Sequence, residues 1–163
     1  SLMTQSTQGP WYYEQIELGY NYRMTDLQAA LGSSQMQRLD AYVSRRHELA
    51  ERYDAELAEL PLELPHRETF NYSAFHLYVV LLTGAGAAER RAVFESLRAQ
   101  GIGVNVHYIP VHTQPYYRAL GFEVGDFPCA EDYYARALSI PLFPTLTREQ
   151  QNQVIDALRS ALS

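Results

Sequence analysis

With 163 residues, 47% hydrophobic and 20% charged, the chain is long enough for one soluble domain with a real core, and it holds no apolar run long enough to cross a membrane. A formal net charge of -6 leaves no electrostatic footprint for nucleic acid or an anionic membrane surface, and a single cysteine, Cys129, excludes an internal disulfide framework or a multi-cysteine zinc cluster and suits a reducing, cytoplasmic compartment. All 13 residues in the lysine-plus-arginine count are arginines, so the chain has no lysine amine for Schiff-base chemistry or a Walker-type phosphate loop.

Residues 1–10 are polar and lack the apolar core of a secretory signal, and the leading Ser1-Leu2 reads as a foreign remnant. Thr4 to Leu18 reads as an ordered loop in which Trp11-Tyr12-Tyr13 serve as packing anchors. In Gly19 to Leu31 a polar turn runs directly into a helix, whose start is marked by Thr25 and Gln28 in the form of a capping box. From Met36 the apolar positions recur at helical spacing through Leu39, Val43, Ala50, Tyr53, Leu57 and Leu60, and Pro61 ends the run. One straight helix over residues 25–60 would span roughly 54 Å, against about 40 Å for a compact domain of this size. The helix therefore bends, with Gly32-Ser33-Ser34 as the expected place because the apolar phase slips there, or it overhangs and leaves a surface for a missing partner.

Pro61 to Pro65 should be extended and His66 to Ser73 a polar loop. Phe75 to Leu82 reads as a strand with two largely apolar faces. Gly84-Ala85-Gly86 lacks the third glycine of a dinucleotide-binding loop and reads as a turn before a helix over residues 88–100, which buries Val93, Phe94 and Leu97 and stops at Gly101. Ile102 to Ile109 is expected as a strand that delivers His107-Tyr108-Ile109-Pro110-Val111-His112 to its end. The spacing of His107 and His112 matches no common zinc pattern, even with Cys129 added, so no metal ligand is assigned; His47 and His76 read as surface and strand-face residues. A short helix at Pro115 to Leu120, a helix from Pro128 to Leu138 and an extended edge segment Ser139 to Pro144 follow. Thr147 and Gln150 open a closing helix that presents Val154, Ile155, Leu158 and Leu162. The order gives an α/β fold, a long helix plus a small sheet covered by helices.

Gly19 to Leu31, the run Gly101-Ile102-Gly103 through His107-Tyr108-x-Pro110-x-His112, and Leu138 to Pro144 with Thr147 resemble the C-terminal half of the DegT/DnrJ/EryC1/StrS aminotransferases. Those are pyridoxal 5'-phosphate enzymes that aminate keto-sugars carried on nucleotides. The resemblance runs from about Gly9 to Leu162, and Trp11-Tyr12-Tyr13-Glu14 is similar to the branch that makes UDP-linked amino sugars for pseudaminic acid biosynthesis. It implies the C-terminal small domain of the type I, aspartate aminotransferase-like fold over residues 19–163, preceded by a lead-in over residues 1–18. It also implies an absent N-terminal cofactor domain, a homodimer whose active sites use both subunits, a nucleotide-sugar substrate and an amino-acid donor. In that family the Schiff-base lysine lies upstream, so the chain is expected to be a truncated fragment that is inactive alone, has no catalytic residue and binds no cofactor covalently.

Residue by residue, Asn21 resembles the asparagine that reaches the cofactor phosphate of the neighbouring subunit, Arg23 the arginine beside it, and Tyr108 with His107 and His112 the segment facing the substrate. Asparagine donates to a phosphate oxygen without adding charge, and arginine offers a planar fork of donors to an anion. Read without the resemblance, Asn21 is better taken as a turn former and Arg23 as a surface residue near the helix start. Two other classes fit the same residues: a stand-alone ligand-binding or regulatory module, and a metal enzyme built on His107, His112 and a carboxylate.

Overall fold

The structure, a computed structural model, describes residues 3–5 and 13–163; the aromatic anchors expected at Trp11 and Tyr12 lie outside the described residues. The chain forms two compact units, Ser1–Arg38 and Leu39–Ser163.

In the first unit, β1 (Met3–Gln5) pairs antiparallel with β2 (Tyr13–Gln15), Met3 opposite Gln15 and Gln5 opposite Tyr13. The lead-in is thus not the plain loop expected, because two short polar segments satisfy their backbone groups against each other. Residues 18–25 carry no regular structure and enter α1 (Asp26–Met36). The Thr25 hydroxyl accepts from the Gln28 amide at 3.3 Å while Gln28 Oε1 accepts from the Thr25 amide at 3.0 Å, the reciprocal cap expected. The break expected at Gly32-Ser33-Ser34 is not there. A lone glycine costs a helix only about 1 kcal/mol, and no neighbouring atom lies within 4 Å of a Cβ at Gly32 to force the chain aside. The helix stops instead at Met36, and a turn at residues 37–38, closed by Arg38 N–H donating to Gln35 O, precedes α2 (Leu39–Leu57), where the second apolar register begins. No residue of α1 is buried, and Leu27 is 84% exposed.

In the second unit, α2 buries Leu49, Ala50, Tyr53 and Leu57 along one stripe. Three antiparallel strands lie in the order β3 (Leu62–Glu63), β4 (Tyr78–Leu82), β5 (Ala137–Ile140), with Leu62 opposite Leu82 and Tyr78 opposite Ile140. Alternation along β4 buries Tyr78, Val80 and Leu82 and leaves Val79 and Leu81 half-buried, so both faces are used. The strand starts later than the predicted Phe75. That residue takes a left-handed φ of 44° and donates its amide to the Ser73 hydroxyl, a turn conformation incompatible with a strand.

α3 (Ala87–Ala99) ends where Gly101 adopts φ +79°, which lets the Ile102 amide return to Leu97 O at 3.0 Å. Residues 102–109 are not the strand expected. Ile102 and Val104 are buried, but only Asn105 makes a sheet-like bridge, to Ser139 at the edge of β5. α4 (Pro115–Ala119) and α5 (Pro128–Arg136) follow; α5 stops before the predicted Leu138 because Ala137 and Leu138 are taken into β5, where all four residues are buried. α6 (Arg148–Ala161) opens with the Thr147–Gln150 box and buries Val154, Ile155 and Leu158. Buried Gln151 donates to Leu49 O at 2.8 Å and ties α6 to α2, while the Tyr53 ring lies 5.1 Å from Tyr78 and its hydroxyl donates to Pro141 O. Among the described residues, no helix is long and apolar enough to cross a membrane.

Candidate functional site

The sequence-predicted residues fall in two places. In the first unit, Asn21 and Arg23 are exposed in the irregular stretch before α1. Tyr20 and Tyr22 stack with ring centroids 5.2 Å apart and nearly parallel planes. Two residues apart in an extended chain share one side, so the tyrosines take one side of the turn and Asn21 and Arg23 take the other. The α1 N-terminus adds little for an anion, since Thr25 is committed to the cap and Asp26 places a carboxylate in the first turn. Asn21 and Arg23 are therefore the donors that fit a phosphate here: one neutral amide and one guanidinium, both open to solvent.

In the second unit, His107, Tyr108 and His112 sit on the irregular segment between α3 and α4. Asn105 organises its start, exchanging backbone hydrogen bonds with Ser139 at 3.2 and 2.8 Å. Its Oδ1 accepts from the Val106 amide at 2.8 Å, which fixes the amide orientation and turns Nδ2 toward His107 Nε2 at 3.2 Å. An amide nitrogen only donates, so His107 Nε2 accepts and the ring proton sits on Nδ1, donating to Ser139 Oγ at 2.8 Å. Half-buried His107 is thus pinned through both nitrogens. The Tyr108 ring packs against it edge-on at 4.5 Å while Tyr108 stays 69% exposed, a free phenol on a fixed base.

His112 is 7% exposed and faces a different partner. Its Nε2 lies 2.8 Å from Glu131 Oε1, and the same carboxylate oxygen accepts from the Gly125 amide at 2.7 Å. Those two donors, the Gly125 amide first and His112 second, hold the Glu131 carboxyl below its ordinary range. The His112 ring packs on Phe127 at 4.8 Å. His107 and His112 do not converge, Cys129 is exposed, and among the described residues no three His, Cys, Asp or Glu side chains are grouped to hold a metal ion. His47, expected at the surface, is half-buried, stacked on Tyr72 at 4.2 Å and bonded to Ser73 O at 2.7 Å.

Asn105, Ser139 and Glu131 went unnoticed in the sequence. Glu131 carried a faint signal, an acidic residue in the first turn of a helix opened by Pro128. Ser139 carried none, because its role depends on a strand pairing between distant segments.

The family described as the DegT/DnrJ/EryC1/StrS aminotransferases matches residues 3–159. The spore coat polysaccharide biosynthesis protein SpsC of Bacillus subtilis is 41% identical over 158 residues, covering 94% of this chain and 41% of that protein. The UDP-4-amino-4,6-dideoxy-N-acetyl-beta-L-altrosamine transaminase of Campylobacter jejuni is 35% identical over 153 residues, covering 93% and 40%. Among solved structures, Spr1654 from Streptococcus pneumoniae in its PMP form aligns at a TM-score of 0.88 with 28% identity, over 98% of this chain and 42% of that one, and its PLP form aligns at 0.87. The chain thus spans about two fifths of the length of the curated relatives it matches.

Proposed function

The chain belongs to the DegT/DnrJ/EryC1/StrS aminotransferase family, and from that premise we propose that residues 19–163 are the C-terminal small domain of an enzyme that uses pyridoxal phosphate to move an amino group onto a nucleotide-linked keto-sugar. The observation that carries this reading is the solvent-presented pair Asn21 and Arg23, set ahead of a capped helix that buries nothing, in a chain without lysine. Such a pair suits an anion brought by another body: the enzyme's N-terminal cofactor domain, in the same chain or in the second subunit of a homodimer. Pyridoxal phosphate, when bound, supplies the reactive carbonyl and the electron sink of amino transfer. Asn21 holds its phosphate by a neutral amide donor. Arg23 offers a fork of donors beside it. His107, fixed by Asn105 and Ser139, positions the Tyr108 phenol toward the sugar, and His112 anchors the end of the same segment through Glu131. The amino donor is an amino acid. A UDP-linked sugar of the altrosamine type, on the way to pseudaminic acid, is supported by the Campylobacter relative and by Trp11-Tyr12-Tyr13-Glu14. An exposed, unpaired Cys129 suits a reducing cytoplasm.

Two measurements test the reading. The full-length enzyme, given a UDP-linked 4-keto sugar and glutamate, should form the amino sugar; failure with every nucleotide-linked keto-sugar offered overturns it. The 163-residue chain, mixed with pyridoxal phosphate and borohydride, should yield no stoichiometric adduct on an internal side chain, because it has no lysine.

A further inference from the structure

Between α4 and α5 the chain makes a tip, residues 121–126, that stands on two glycines. Gly121 takes φ +100° and Gly125 φ +103°, and a Cβ on either would meet nothing within 4 Å, so both positions need glycine for its backbone freedom and not for want of space. Within the tip the Glu123 amide donates to Asp126 Oδ2 at 2.8 Å and the Asp126 amide returns to Glu123 O at 3.3 Å. Those bonds hold the tip as one piece. Toward the rest of the unit it reaches by the Phe122 amide on Tyr117 O, a long 3.4 Å, and by the Gly125 amide on Glu131 Oε1 at 2.7 Å. The second is the strong one, short and made to a charged oxygen. The Phe122 and Phe127 rings pack at 6.2 Å but stay 39% and 48% exposed, so their contact fixes the tip only weakly. Glu131 Oε1 has a second donor, the Nε2 of buried His112 at 2.8 Å. An ionised carboxylate only accepts, so that nitrogen carries a proton. His112 ends the segment that presents Tyr108, and with Phe122 it walls an apolar cavity of about 340 Å³.

We propose that residues 121–126 are a hinged strap latched by Glu131, and that the oxygen shared with His112 couples the position of the strap to the order of the segment 107–112. With the Gly125 amide in place, the carboxylate is held from two sides and keeps one orientation, which anchors His112. When the strap turns about its glycines that donor leaves, the Glu131 side chain regains its rotamers, and His112 loses a fixed acceptor. The far end of the Tyr108 segment then loosens. The same rotation moves Phe122, one wall of the cavity, so the latch also sets the width of the cavity. The coupling uses residues of the second unit alone and goes beyond the aminotransferase reading, on which it does not depend.

Amide exchange and ring signals of the 163-residue chain, measured by NMR, test both halves. Glu131→Ala should speed exchange at Glu123, Gly125 and Asp126 by about tenfold or more and leave the buried amides of α6 unchanged. His112→Phe, which keeps a ring in the apolar site but carries no donor, should speed exchange at Gly125 as well. Gly125→Ala, which puts a side chain at a left-handed φ, should shift the His112 imidazole and Tyr108 ring signals. Because the coupling runs through one oxygen, adding His112→Phe to Glu131→Ala should change Gly125 exchange no further. If Glu131→Ala does not fold, Glu131→Gln, which keeps the shape and loses the charge, is measured in its place, alone and with His112→Phe. Gly125 exchange that stays at the parent rate in the Glu131 variant overturns the latch, and so does protection lost evenly over α2, α6 and the strap. A His112→Phe variant with unchanged Gly125 exchange, or effects of the two changes that simply add, overturn the coupling. Absence of amino transfer in the full-length enzyme removes the aminotransferase reading and leaves these exchange results, and the strap, where they stand.

Discussion

The Glu131 carboxylate shows how one residue ties a loop to a helix: a single oxygen receives both the Gly125 amide and His112 Nε2. Its folded-state pKa is depressed, so its stabilising contribution is full above the unfolded value near 4.5 and is lost as the pH falls through the lower folded value. The stability difference between the native chain and Glu131→Gln should therefore be constant above about pH 5 and shrink on acidification below about pH 4, which urea titrations at a series of pH values would record. On the proposed function, Asn21→Ala in the full-length dimer should weaken cofactor binding by about one to two orders of magnitude, since a hydrogen bond to a charged group contributes roughly 1.5–3 kcal/mol. Asn21→Asp keeps the size and turn preference but sets a carboxylate against the phosphate, and should bind cofactor worse than Ala. An Asp variant with native affinity would remove Asn21 from the site.

Two helices begin with the same device, a threonine N-cap closed by glutamine at the third position, but only one has packing behind it. α6 buries Val154, Ile155 and Leu158, so Thr147→Ala should cost about 1 kcal/mol and leave the helix formed. α1 buries nothing, and an isolated helix of its length is marginal in water. Thr25→Ala in this chain should therefore melt α1 locally. Hydrogen exchange would show it as lost protection over the helix while the amides of α2 and α6 stay protected.

Across the whole molecule, apolar surface divides unevenly between the two units. Leu57, Tyr78, Leu97, Leu138 and Leu158 are fully buried in the second, whereas Met24, Leu27, Leu31 and Met36 lie exposed in the first. Exposed apolar side chains also occur in the second unit, Ile109, Val111, Leu120 and Val124 among them, but there they stand over a buried core, whereas α1 buries none of its residues. Leu158→Ala should destabilise the second unit by about 2–5 kcal/mol and lower its Tm by roughly 5–15 °C, read by circular dichroism.

What the residues determined by themselves was local. Thr25 with Gln28 and Thr147 with Gln150 set two helix starts, Gly101 set a helix end, and the apolar stripe of α2 named its own buried face, because caps and periodicity act over one or two turns. The polar turn at Asn21 and Arg23 and the motif from His107 to His112 were legible for the same reason, as short runs of chemically distinctive side chains. Tertiary structure alone decided the rest. Ala137 and Leu138 looked helical, yet they entered β5 because burial between β4 and the helices outweighs a weak local preference. Residues 102–109 looked like a strand, yet their backbone found one bridge, at Asn105, and no ladder. The bonds of His107 to Ser139 and of His112 to Glu131 join residues 32 and 19 positions apart, and no spacing rule reaches across a loop whose closure only the folded packing can hold.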